Sequence, residues 1–252
     1  DFCLSRGLGD VYKRQILLLA ISSCFLTGCV NQHPKDSKKS SQGESVETML
    51  EITDPKEKQA VLNAKAKVKA LSGNPRIVAT SPAVADICDK LDLDLVGVPK
   101  SSVSKIPSRY KKVKKVGLAM SPDMEIVSSL NPDWILAPSS LETDLKLKFE
   151  ELKNTEYAFL NLRSVQGMYR SVQELGEIFG KQQEAEKMTK EFTTFYKSYT
   201  KRNKNKKHPK VLVLMGLPGS YVIATENSYI GSLVKLLSLI HISEPTRQAE
   251  IS

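Results

Sequence analysis

The chain has 252 residues, 40% hydrophobic and 26% charged, with 37 Lys or Arg against 28 Asp or Glu and a formal charge of +9. That length allows one large domain or two modest ones. The composition is that of an ordinary packed core and excludes collagen, low-complexity polymers and a multispanning membrane protein.

In chain order, residues 1–15 (DFCLSRGLGDVYKRQ) and 238–252 (SLIHISEPTRQAEIS) do not continue the pattern of their neighbours. Both resemble translated sequencing-adapter sequence and are set aside before any fold reasoning. Segment 16–28 holds the apolar run Ile16–Thr27, whose 12 residues fall short of the ~18 of a spanning helix and read as a signal-peptide core. Cys29 closes Leu26-Thr27-Gly28-Cys29, which resembles the lipobox of bacterial lipoproteins. Cys29 is therefore expected to carry a lipid that anchors the protein to the extracytoplasmic face of the cell membrane. Segment 29–73 is expected to be mainly tether, because 30–55 is polar and poor in large apolar residues. Within it, Lys56–Ala70 has the spacing of a short helix, and His33 reads as a solvated surface residue. Cys88 is the one cysteine left in the body, a buried thiol without a disulfide framework or a nearby His to activate it.

Segment 74–163 alternates strand and helix. Arg76–Thr80 is a β-branched run, and Ser81-Pro82 reads as a helix cap followed by a first-turn proline opening Ala83–Leu91. Leu95–Val98 is the next strand. Lys115–Leu118 leads to a second Ser-Pro helix start at Ser121-Pro122, followed by helix Met124–Leu130. Trp134–Ala137, Leu141–Leu152 and Tyr157–Leu162 continue as strand, helix and strand. Such alternation predicts parallel βαβ units with right-handed crossovers. In segment 164–208, Val165, Met168, Val172, Leu175 and Phe179, then Ala185 to Tyr199, keep helical spacing, with Gly180 as a cap. The basic run Lys201–Lys207 suits a helix C-terminus and a solvated face; without interleaved aromatics it gives no case for nucleic acid. Segment 209–237 opens on Val211–Met215, predicted as a buried strand that starts a second lobe.

The matching residues are Arg76-Ile77-Val78 with Leu91-Asp92-Leu93, Ile106–Tyr110, Val116–Pro122, Gly167-Met168, Lys207–Gly216, Pro218–Tyr221 and Ser228–Gly231. On them the chain resembles the metal-chelate class of ABC-transporter substrate-binding lipoproteins. Within that class it is similar to the IsdE-type haem-binding lipoproteins of Gram-positive iron uptake. The resemblance implies an α/β, bilobal class III substrate-binding fold, two Rossmann-like lobes joined by a long helix, with the C-terminal lobe cut short in this chain. It implies a binding protein, not an enzyme: haem is received from cell-wall donor proteins and handed to an ABC permease driven by ATPase subunits.

Taken alone, Met120 reads as a core methionine that fills a gap. The resemblance instead makes it an axial ligand of the haem iron, on a loop after a strand where parallel folds present ligand groups. The second axial ligand, a His, is expected beyond 237; His208 and His241 do not match it. For the haem propionates the resemblance implies Ser81, with the backbone amides of Ala83 and Val84 at a helix N-terminus. It adds Ser101 and Ser102, which read equally as turn residues. For permease docking it implies Asp144, with Glu142 in reserve; both also read as ordinary first-turn acids. A siderophore or cobalamin binder is the alternative within the class. A hydrolase lacks a triad or paired carboxylates, and a zinc or manganese binder lacks a cluster of His or carboxylate ligands.

Overall fold

The computed structural model describes Leu50, Ile52, 54–207, 209–217, 219–237 and 240–241, all in the unit Gly43–Ser252. The signal-peptide core, Cys29, His33 and His208 lie outside these residues. The first helix, α1, is Pro55–Lys69; the Asp54 carboxylate accepts the Lys56 N–H at 2.8 Å, and proline occupies the first turn at no cost in hydrogen bonds. Val61 is buried and Ala64 and Val68 pack against the core, while Lys65 pairs with Glu177 and Lys67 with Glu156 at 2.5 Å. The short helix expected at Lys56–Ala70 is therefore present, and it packs on the lobe instead of belonging to the tether. The stripe of Val61, Ala64 and Val68 is too narrow to stabilise a free helix, and tertiary packing supplies what propensity does not.

The body runs β1 (Ile77–Ala79), α2 (Pro82–Lys90), β2 (Leu95–Val98), β3 (Lys114–Lys115), the short strands β4 (Gly117–Leu118) and β5 (Ser121–Pro122), and α3 (Met124–Ser129). It continues with β6 (Trp134–Pro138), α4 (Glu142–Glu150) and β7 (Glu156–Leu160). Five strands form one parallel sheet in the order β3-β2-β1-β6-β7, with Ile77 opposite Trp134 and Ala79 opposite Leu136. Side chains alternate across it as a strand's period of two requires. Ile77, Ala79, Trp134 and Leu136 join Val84, Cys88, Leu91 and Leu175 on one face. Val78, Ile135 and Ala137 join Val127, Leu145 and Phe149 on the other. Helices therefore cover both faces, which is why β1 and β6 are apolar throughout. The edge strand β3 is two lysines long, a charge pattern that discourages pairing with another chain.

The two helical runs of the connecting segment divide at Gly180 as their spacing predicts, into α5 (Val165–Phe179) and α6 (Gln182–Asn203). Ser164 caps α5 by accepting the Gly167 N–H at 2.9 Å, and Gly180 ends it in the left-handed region at φ 71°, a conformation a Cβ would strain. Phe179 meets Trp134 edge to face at 5.6 Å, which ties α5 to the sheet. Beyond α6 come β8 (Lys210–Val211), β9 (Leu214–Leu217), β10 (Ser220–Ile223), α7 (Tyr229–Leu236) and β11 (Ile240–His241). β9 and β10 pair antiparallel; β8 and β11 pair parallel. The predicted buried strand Val211–Met215 is thus split, and Leu212, Leu214 and Met215 are about half exposed. A two-stranded ribbon has no second layer to bury its faces.

Candidate functional site

The sheet reverses its strand order beside β1: β2 and β3 lie to one side, β6 and β7 to the other. In such open parallel sheets a crevice forms at the carboxyl ends of the strands flanking this switch, and ligands bind there. Ser81 follows β1, Ser101 and Ser102 follow β2, and Glu142 and Asp144 follow β6, so these predicted residues sit at that carboxyl edge. Thr80 closes the end of β1 onto β6, donating its N–H at 3.0 Å and its hydroxyl at 3.3 Å to the Leu136 carbonyl.

Met120 occupies the turn of a tight hairpin in which Gly117 faces Pro122 and Leu118 faces Ser121. The hairpin hangs on the end of β2. Val116 donates to the Val98 carbonyl at 2.9 Å and Lys100 to the Gly117 carbonyl at 2.6 Å. That second bond brings the Met120 hairpin beside the loop of Ser101 and Ser102. Gly117 makes the tight path possible: its φ is 95°, and a Cβ there would lie 2.9 Å from the Asp123 amide nitrogen. Two expectations change here. Ser121-Pro122 is the second hairpin strand, not a helix start; Asp123 caps α3 by accepting the Ile126 N–H at 3.1 Å. Met120 is 72% exposed, with Leu118 59% exposed beside it, so Met120 does not fill a core gap.

Ser81 is buried and caps α2, its hydroxyl accepting the Val84 N–H at 3.3 Å. The Val84 amide, expected to face an anion, is thereby engaged within the cap, and Val84 itself is buried; of the two first-turn residues it is Ala83 that lies at the surface. Ser101 accepts the Ser104 N–H at 2.9 Å in a local turn, and Ser102 is exposed. Glu142 and Asp144 are exposed in the first turn of α4, while Leu145 and Phe149 anchor its inner face. Sequence reasoning missed Ser139 and Ser140, which follow β6 directly at the switch point; the serine after a strand, already seen at Ser81 and Ser101, was the available signal. Beneath the edge Cys88 is fully buried, and burial pushes its thiol up to about 12. The cavity of about 400 Å³ lined by Asn131, Asp133, Glu151 and Asn154 lies at the opposite, amino end of β6 and β7, away from these residues. Among the described residues no three His, Cys, Asp or Glu side chains converge to hold a metal ion, and no helix is long and apolar enough to cross a membrane.

Comparison with known proteins agrees with this architecture. The high-affinity heme uptake system protein IsdE of Staphylococcus aureus (strain Newman) is 40% identical over 166 residues, 66% of this chain. The match spans only 56% of that relative's length. An ABC transporter substrate-binding protein from Listeria monocytogenes EGD-e superposes with a TM-score of 0.63 at 43% identity, covering 70% of this chain and 68% of the other. S. aureus IsdE complexed with heme superposes with the same TM-score at 37% identity and the same coverage. The family model described as periplasmic binding protein matches residues 77–251. With its parallel sheet and loops gathered at one carboxyl edge, the chain belongs to the periplasmic binding protein family.

Proposed function

We propose that this chain is the haem-binding part of a lipoprotein that takes haem from cell-wall donor proteins and delivers it to an ABC permease. Haem is the cargo. Cys29 carries the lipid anchor on the extracytoplasmic face of the membrane, and the transporter's ATPase subunits drive uptake. The observation that carries the proposal is the exposed Met120 thioether on a hairpin fixed at the carboxyl edge. A thioether is a soft, neutral iron ligand, and hydrocarbon displayed to water gains by covering a porphyrin face. The similarity to IsdE, itself named a heme uptake protein, supports the same cargo. The propionates would meet Ser101, Ser102 and the first turn of α2 at Ser81 and Ala83, where helix amides favour negative charge.

Haem titration followed in the Soret band, with Met120→Ala in parallel, tests the assignment. Met120→Ala is expected to shift the Soret maximum and to weaken binding by at least the roughly 10–100-fold seen when lesser ligand-supporting contacts are lost. Identical spectra and affinities for the two proteins would remove Met120 from the iron. Tighter binding of a ferric siderophore or cobalamin than of haem would move the cargo to the other branch of the class.

A further inference from the structure

We propose that the carboxyl-terminal end of α6 and the segment after it form a docking surface for anionic phospholipid headgroups, with Phe195 entering the interface. This stands apart from the haem assignment and from acylation of Cys29. Between Glu191 and Glu226 the chain has no Asp or Glu, yet it carries Lys197, Lys201, Arg202, Lys204, Lys206, Lys207 and Lys210. Lys201, Arg202, Lys204, Lys206 and Lys207 are all exposed. The helix dipole accounts for cations in the last turn of α6, Lys201 and Arg202. It does not account for Lys206 and Lys207, which lie past the helix end.

Phe195 stands on the outer side of α6, 56% exposed, with its ring 6.3 Å from that of Tyr199. With Lys187, Lys190, Glu191, Thr194 and Ser198 it lines a shallow depression of about 580 Å³, whose one acid is outnumbered by the cations around it and beyond it on the helix. Arg202 is seven residues on, two helical turns, and so shares the side of Phe195. A helix that offers an exposed aromatic ring next to a strongly cationic end fits the boundary between phosphate headgroups and acyl chains. Anionic leaflets attract juxtaposed Lys and Arg, and the long lysine stems bury along apolar surface while their charges stay wet. A soluble polyanion answers the charge but leaves the ring in water, which is why the bilayer is the better match.

The chain from residue 29 onward carrying Cys29→Ser, so that neither the apolar leader segment nor a lipid anchor contributes, is co-sedimented with vesicles of phosphatidylcholine alone or with added phosphatidylglycerol. Binding is expected only to the anionic vesicles, and it should disappear near 1 M salt, where the Debye length falls to roughly 3 Å. Lys201→Gln with Arg202→Gln should lower the bound fraction at least tenfold, at about fivefold per cation removed. Lys206→Gln with Lys207→Gln, outside the helix, gives the same test without touching α6. Phe195→Ser should weaken vesicle binding while leaving retention by soluble polyphosphate unchanged. Equal binding to neutral vesicles, undiminished binding of both neutralised variants, or a Phe195→Ser protein that binds vesicles like its parent would each overturn the proposal. The last outcome, with polyphosphate retained, would mark a polyanion site instead.

Discussion

Single buried polar groups show how little slack the lobe has. Tyr110 is 2% exposed, and its hydroxyl donates to the Leu93 carbonyl at 2.5 Å, joining the turn before β3 to the loop before β2. Burial pushes its phenol well above the usual range, so it stays a donor at any working pH. Tyr110→Phe keeps the ring but takes the donor from a carbonyl inside the core, a loss of about 1–3 kcal/mol. A thermal melt should show the midpoint lowered by about 2–4 °C for each kcal/mol. Cys88 gives a second check. Thiolate is the reacting species, and a thiol held at about 12 has almost none at pH 8. Alkylation mapped by mass spectrometry should therefore leave Cys88 unmodified in the native protein and label it once urea unfolds the chain; rapid native labelling would mean that α2 opens.

Elements are held to one another by charge as well as packing. On α1, Lys65 and Lys67 reach Glu177 and Glu156, and Glu57 lies beside Glu174 of α5. Burial first, then the neighbouring Glu57 carboxyl, raise the Glu174 carboxyl from 4.5 to about 8, opposed by Arg170. The folded state thus binds a proton that the unfolded chain has released between about pH 4.5 and 8. Across that window stability falls as pH rises, because the unfolded state binds fewer protons. Above pH 8 the two carboxylates repel across the α1–α5 contact. Glu174→Gln keeps the donor without the charge. Its melting temperature should exceed the parent's at pH 9 by about 2–4 °C for each kcal/mol of repulsion removed, and the advantage should vanish near pH 4. A constant difference across that range would show that the pair does not titrate as described.

At the scale of the whole molecule, the carboxyl edge presents two chemistries side by side. Met120, Ser101 and Ser102, which our proposal turns toward haem, lie there, and the first turn of α4 offers Glu142 and Asp144 to solvent at the same end. In our proposal these acids meet arginines of the permease, and charge complementarity of that kind steers and registers a complex more than it tightens it. In a protein as long as its relatives, reversing both charges with Glu142→Lys and Asp144→Lys should leave the Soret titration unchanged and abolish haem uptake by cells. Normal uptake by that variant would place docking elsewhere. Leu145 and Phe149 hold α4 from its inner face, so the substitutions should not disturb its packing.

Much of the lobe was legible in local chemistry. The apolar runs at Ile77–Ala79, Leu95–Val98 and Trp134–Pro138 belong to strands covered on both faces, and hydrophobicity alone announces them. Ser81 as a cap and Gly180 as a helix end follow from the hydrogen-bonding and steric needs of helix termini. The same dipeptide misled at its second occurrence. Ser81-Pro82 opens a helix, whereas Ser121-Pro122 pairs with Gly117-Leu118 and leaves the cap to Asp123. Local preference permits both outcomes, and only pairing with a strand fixed to β2 selects one. Exposure was beyond the sequence for a related reason. Met120 and Met215 look alike as apolar residues near strands, and both are exposed because, among the described residues, nothing packs over the short hairpin or the two-stranded ribbon. Helix α1 shows the converse, a weakly amphipathic segment made part of the lobe by Val61 and two ion pairs. What the residues determined by themselves was the set of elements, from period and caps. Which faces those elements cover was decided by tertiary structure, since burial depends on neighbours far away in the chain.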